Sequence, residues 1–271
     1  MNIFELLEKQ DMTPVVEFNR LVSLLNYECF EDGVSHPFKN YINDIWSFLK
    51  IRRTSINFED LLLSLGIDIQ NSRSVNWPKL FLFCELLKNI IVQAKPHLNS
   101  NWDIENVIRL INTNLSVILE KTNHKWERIE KGYIIVKKEI AVSEAIECLE
   151  DGNENLAHCI TEYNWVLLAG NLDRKREILA NMANYVEPWQ QELKGSIFFP
   201  LYTNSRELTN KLDIRHNNTG KGSAPEYAKN WTKADFEKWY DNTYHTLLMV
   251  ILSKRQLKIM QEMNKLKSGN R

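Results

Sequence analysis

Apolar residues recur at three- and four-residue spacing through most of this chain, the period of one face of an α-helix. Val15, Phe18, Val22 and Leu25 form the first such series, and Pro14 after Thr13 suits the first turn of a helix. After a polar loop at 31–37, Phe38, Ile42, Ile45, Trp46 and Leu49 form a second. A short helix over 57–65 ends at Gly66, and a strongly apolar one over 77–93 carries Pro78 in its first turn. The next helix, over 101–120, has Val107, Leu110, Ile111, Leu115, Ile118 and Leu119 as its stripe, with Asn99, Ser100 and Asn101 as cap candidates.

The period breaks over 122–142. Gly132, Tyr133, Ile134, Ile135, Val136 and Lys137 read as a short strand, hairpinned with Ile140, Ala141 and Val142, or as a helix continuing from Trp126. This segment is the expected boundary between a helical domain over 1–121 and a helical bundle over 143–271. Beyond it, helices are expected over 142–150, 154–169 and 172–187, the last kinked or restarted by Pro188, and over about 205–215. Residues 216–231 are polar and show no apolar period.

The last helix opens on Thr232-Lys233-Ala234-Asp235, a capping-box start, and runs to about Leu266. Phe236, Trp239, Tyr240, Tyr244, Leu247 and Ile251, and later Ile259, Met260 and Met263, give it a continuous apolar face about 50 Å long, which something of similar length is expected to cover. The fold class expected is all-α: a helical N-terminal part and a C-terminal long-helix bundle, with a small β-hairpin near 132–142.

Composition supports this. Nine Gly and seven Pro in 271 residues argue against turn-dense sandwiches, barrels and propellers. A net charge of −1 gives no overall field toward nucleic acid or membrane. The charge is uneven, however: residues 205–271 hold 13 Lys/Arg and 7 Asp/Glu, a basic third suited to phosphate or simply a solvated helix face. Cys29, Cys84, Cys148 and Cys159 are far apart, and no two of the six His share metal-ligand spacing, so neither metal nor cofactor is expected. The acidic, amphipathic start lacks a signal-peptide core, and the longest apolar run, 247–252, is far too short to span a bilayer, so a cytoplasmic protein with no membrane association is expected.

Chemistry concentrates in residues 211–223. Arg215 suits a phosphate or a developing oxyanion, and the adjacent His216 suits proton transfer near neutral pH. Asn217 and Asn218 suit orientation of a ligand, and Lys211 and Lys221 contact with substrate phosphates. A purely structural account is open too: Asp213 pairs with Arg215, and the two Asn end a helix and enter a turn. Thr219-Gly220-Lys221-Gly222-Ser223 lacks the glycine spacing and the preceding strand of a phosphate loop. Trp231 and Trp239 flank the segment and suit either a core or stacking on a base. His245 reads as an ordinary helix histidine.

Tyr163-Asn164, the run Leu172-Asp173-Arg174-Lys175-Arg176-Glu177-Ile178-Leu179 and Ile214-Arg215-His216-Asn217-Asn218 before a long final helix resemble the C-terminal half of bacterial abortive-infection-type proteins of the HEPN superfamily. The resemblance covers about 100 residues. It implies a small helical bundle of a prokaryotic defence or toxin system, acting as a homodimer, and in many members a metal-independent endoribonuclease. That family's motif is an Arg, a polar residue and a His four to six residues further on. Arg215 and His216 match its first part, while positions 219 to 221 are Thr219, Gly220 and Lys221. The resemblance thus implies either that His216 takes the missing role, supported by Arg215, Asn217 and Asn218, or that the domain is an inactive relative that binds RNA or a partner. The competing reading is a non-catalytic interaction protein, which predicts an exposed apolar patch on residues 1–120.

Overall fold

The computed structural model describes residues 12–31, 33–98, 101–212, 214 and 230–269. They form two compact units, one within Met1–Lys137 and the other within Lys138–Arg271. The architecture is mostly helical with two small antiparallel hairpins. No helix among the described residues is long and apolar enough to cross a membrane.

In the first unit, α1 (Pro14–Leu25) starts where Thr13 accepts the Val16 N–H and Pro14 occupies the first turn. A hairpin of β1 (Glu28–Glu31) and β2 (Val34–Pro37) replaces the expected loop at 31–37. The apolar series from Phe38 does not form one helix. It breaks into α2 (Phe38–Asp44) and two 3-10 turns, after which the Trp46 indole N–H is tied to the Ser55 carbonyl at 2.9 Å and Arg53 takes a positive φ of 49°. The remaining helices are α3 (Phe58–Ser64), α4 (Trp77–Ala94) and α5 (Trp102–Lys121), capped by Asn57, Asn76 and Asn101. Phe18 of α1, Phe83 and Leu87 of α4, and Ile111 and Leu115 of α5 are fully buried in its core.

The hairpin beyond α5 is present, with a different partner strand. β4 (Gly132–Lys137) pairs with β3 (His124–Ile129) upstream of it, and Ile140, Ala141 and Val142 open a helix. The other edge of β4 is completed by side chains of α4. Asn89 Oδ1 accepts the Tyr133 N–H at 2.8 Å while its Nδ2 donates to the Tyr133 carbonyl at 2.8 Å. One turn earlier, Glu85 accepts the Ile135 N–H at 2.6 Å. Two polar side chains spaced i, i+4 on a helix thus do the work of a neighbouring strand for an edge that would otherwise bury unpaired amides.

The second unit consists of α6 (Ile140–Glu147), α7 (Glu154–Tyr163), α8 (Leu172–Val186), a short α9 (Gln190–Leu193), α10 (Phe199–Lys211) and α11 (Lys233–Lys267). Its core holds Ile178, Met182, Tyr202, Tyr244, Leu247 and Ile251, with α11 packed against α6, α8 and α10. The expected continuous burial of α11 is corrected here. Its last buried residue is Ser253, while Ile259, Met260 and Met263 are 39%, 38% and 47% exposed. The reason is length. Helix α8 has 15 residues and α10 has 13, against 35 in α11, so neither reaches its C-terminal third.

Candidate functional site

Arg215, His216, Asn217, Asn218 and Lys221 lie outside the described residues, and so does Asp213. The two ends of their segment are well defined. At one end, α10 closes with the Leu212 N–H on the Leu208 carbonyl and the Ile214 N–H on the Thr209 carbonyl. Ile214, immediately before Arg215, is buried in the core of the unit. At the other end, Thr232 and Asp235 cap α11 reciprocally: Thr232 Oγ1 accepts the Asp235 N–H at 3.2 Å, and the Asp235 carboxylate accepts the Thr232 N–H at 2.8 Å. The hydroxyl and N–H of Thr232 hold the Asp235 carboxyl below its usual range. Trp231, just before the cap, packs edge-on to Phe236 with ring centres 5.3 Å apart, which fixes the angle at which the chain enters the helix.

Between these two ends lies a groove of about 490 Å³ whose lining includes Asn204, Glu207, Leu208, Lys211, Trp231 and Trp239. The Trp231 and Trp239 rings are parallel, 5° apart in plane with centres at 6.0 Å. Trp239 is 37% exposed and so presents part of an indole to the groove rather than filling a core. Lys211, on the last turn of α10, is exposed and paired with Glu207. An aromatic wall with an amide, and with a paired ammonium and carboxylate on its rim, suits a planar heterocycle with polar substituents. Of the predicted site residues, the structure places Lys211 in this groove. His245 lies on the exposed side of α11, its Nδ1 2.8 Å from the Asp241 carbonyl and its Nε2 3.7 Å from Glu139.

A second constellation joins α7, α8 and α11. Lys175 is buried, and its Nζ contacts Glu237 and Asp241 at 2.8 Å each. Asp241 also accepts from the Tyr163 hydroxyl at 2.9 Å, and the Lys175 ammonium lies 5.2 Å from the centre of the Tyr163 ring. Tyr163 stacks on Tyr244 with ring centres 4.0 Å apart, and the Tyr244 hydroxyl donates to the Ile160 carbonyl while accepting from Asn164. Burial, followed by the charge of Asp241, pushes the Tyr163 hydroxyl far up, and burial does the same at Tyr244. Burial resists ionisation of Glu237, but the bonds from Lys175 and the Gly170 N–H outweigh it and hold that carboxyl below its usual range. Beside this cluster Arg174 makes a two-pronged contact with Glu162 at 2.6 and 2.8 Å. With Tyr163 and Tyr244 kept protonated and Lys175 held by two carboxylates, the cluster's chemistry is that of a clamp on α11 rather than of a proton donor.

No family model, curated protein or solved structure matches this chain. The functional reading therefore rests on its own residues. Tyr163, Asn164 and Lys175 converge on the clamp, and Arg174 lies beside it. A signal for it exists in the sequence: Lys175 stands three and four residues before Ile178 and Leu179, a charge inside an apolar stripe. Its partners on α11 lie beyond the reach of local pattern. Among the described residues no three His, Cys, Asp or Glu side chains form a group that would hold a metal ion. Cys29 and Cys84 are buried, and burial raises both thiols, Cys29 to about 11.

Proposed function

We propose that the second unit binds RNA and cleaves it by a metal-independent route, within a homodimeric protein of prokaryotic defence type. The observation that carries this reading is the groove bearing Trp239 and Lys211, placed between the two ends of the segment that holds Arg215, His216, Asn217 and Asn218. A base stacked on the exposed indole brings its phosphate within reach of Lys211, which would exchange its Glu207 partner for it. In the reaction proposed, the ribose 2′-oxygen attacks the adjacent phosphorus and loses its proton to a base. The bond from phosphorus to the 5′-oxygen breaks, and that oxygen takes up a proton. His216 serves the proton transfers, Arg215 stabilises the charge on the phosphorane, and Lys211 and Lys221 hold flanking phosphates.

The test is cleavage of single-stranded RNA in EDTA by the wild type, Arg215→Ala and His216→Ala. Each substitution is expected to lower the rate at least tenfold, and equal activity in all three removes the reading. Trp239→Ala is expected to weaken RNA binding about tenfold, in line with the loss of one stacked base, as read by a fluorescence titration.

A second reading, a non-catalytic partner-binding protein, is favoured by one corner of the first unit. Phe30 is 59% exposed and Trp102 is 75% exposed. They are brought to the same corner by Asn101, which donates to the Phe30 carbonyl at 2.6 Å, and Asp103, which accepts the Phe30 N–H at 3.0 Å. This reading predicts no RNA turnover by the wild type, and loss of a co-purifying protein on Phe30→Ser with Trp102→Ser.

A further inference from the structure

Helix α11 carries a second apolar stripe that starts at the edge of the unit's core and runs onto the uncovered end of the helix. Met249, Leu252, Gln256, Ile259, Met263 and Leu266 follow one another at spacings of three, four, three, four and three residues. Met249, Ile259, Met263 and Leu266 are 56%, 39%, 47% and 75% exposed. At about 100° per residue the stripe lies roughly 100–200° round the helix from Leu247. Leu252 is half-buried against the unit's own core, and from Gln256 onward the stripe is exposed. Beyond Ser253 the helix continues for 14 residues, to Lys267. A repeat of this 3-4 form is the seam of a two-helix coiled coil, in which Met249, Gln256 and Met263 are a positions and Leu252, Ile259 and Leu266 are d positions.

We propose that this seam pairs, parallel and in register, with the same helix of a second copy of the chain. The choice of occupant comes from the flanking charges. In this register Glu262 is a g position and Lys267 the following e position. A parallel pair of identical helices sets Glu262 of each copy against Lys267 of the other, twice per dimer. Gln256, the single polar seam residue, then meets its own counterpart and specifies the register, as a lone polar a residue does in other coiled coils. The seam is short, at about two and a half heptads with Leu252 shared with the unit's own core, and an isolated peptide of that length pairs poorly. Here the helix is already formed, nucleated by the packing of its first two thirds on the unit's core, so association does not bear that cost. This inference deepens the dimer reading by naming its surface, and it is independent of RNA cleavage.

The test is sedimentation of the full chain over a concentration series. The wild type is expected to dimerise, and Ile259→Asp with Met263→Asp is expected to be monomeric with unchanged helicity, since both positions are exposed in the single chain. Glu262→Lys is expected to weaken the dimer about fivefold through two like-charged contacts, and Glu262→Lys with Lys267→Glu to restore it. A wild type that stays monomeric overturns both the seam and the dimer reading. A dimer that survives Ile259→Asp with Met263→Asp overturns the seam alone. Insensitivity to Glu262→Lys overturns the parallel register. RNA cleavage by the monomeric double variant is scored separately, so failure of the seam and failure of the RNA reading remain distinct.

Discussion

Lys175→Met lowers the stability of the second unit by about 2–3 kcal/mol, and its melting temperature by roughly 10 °C. Lys175 is 6% exposed and neutralises two carboxylates at 2.8 Å. Removing one partner of a buried ion pair costs about 3–5 kcal/mol where the stranded charge stays buried. The side chains of Glu237 and Asp241 are 25% and 44% exposed, so water recovers part of that, which sets the lower figure. Met keeps the volume, so little of the loss is a cavity. The pH dependence has a definite sign. The folded-state pKa of Glu237 is lowered, so its contribution is present above the unfolded carboxylate value of about 4.3 and is lost as pH falls through the folded value. The difference between wild type and Lys175→Met is therefore full near neutral pH and narrows in acid. Urea titrations at several pH values check this, and a difference that widens in acid removes the account.

Gly132→Ala destabilises the first unit by about 2–4 kcal/mol. Two causes add. Gly132 has a φ of +149°, a region that residues with a Cβ rarely adopt. A Cβ there would also lie 2.1 Å from Asn89 Oδ1, the atom that accepts the Tyr133 N–H. Asn89 must move, and the edge of β4 then loses both bonds to Tyr133. The two causes can be separated with Asn89→Ala. In that background the steric part of the cost of Gly132→Ala disappears and the backbone strain remains, giving a coupling of about 1–2 kcal/mol in a double-mutant cycle read by denaturant unfolding. Additive effects of the two substitutions would show that a Cβ at position 132 does not displace Asn89.

Much of the fold is legible in the order of residues, because helix starts and apolar stripes are local. Thr13 with Pro14, Asn101, and Thr232 with Asp235 each announce a helix that forms where expected. The strand over 132–137 is legible for the same reason, since its β-branched run breaks the helical period. Its partner is not. The segment His124–Ile129 mixes charge and aromatic residues without clean alternation, and Glu130-Lys131 is not a pair that marks a tight turn. The reverse occurs at the first hairpin, where Asp32-Gly33 is such a pair inside a stretch read as loop. Of the candidate site, Lys211 lies at the groove, paired with Glu207, and the exposure of Trp239 there depends on which side of α11 meets α10.

By itself the sequence determines that the chain is helical, where most helices begin, which stripe of each is apolar, and that chemistry-bearing side chains gather before the last helix. Only the tertiary structure decides which of these stripes find a partner. Helical periodicity states that a face is apolar, not what lies opposite it. That is why the long face of α11 reads as continuous burial in the sequence yet thins after Ser253 and is exposed from Ile259 onward, beyond Leu257, since the helices beside it are much shorter. Tertiary structure also decides that Lys175 meets Glu237 and Asp241, more than 60 residues away, because closure of three helices sets that contact and no local pattern encodes it.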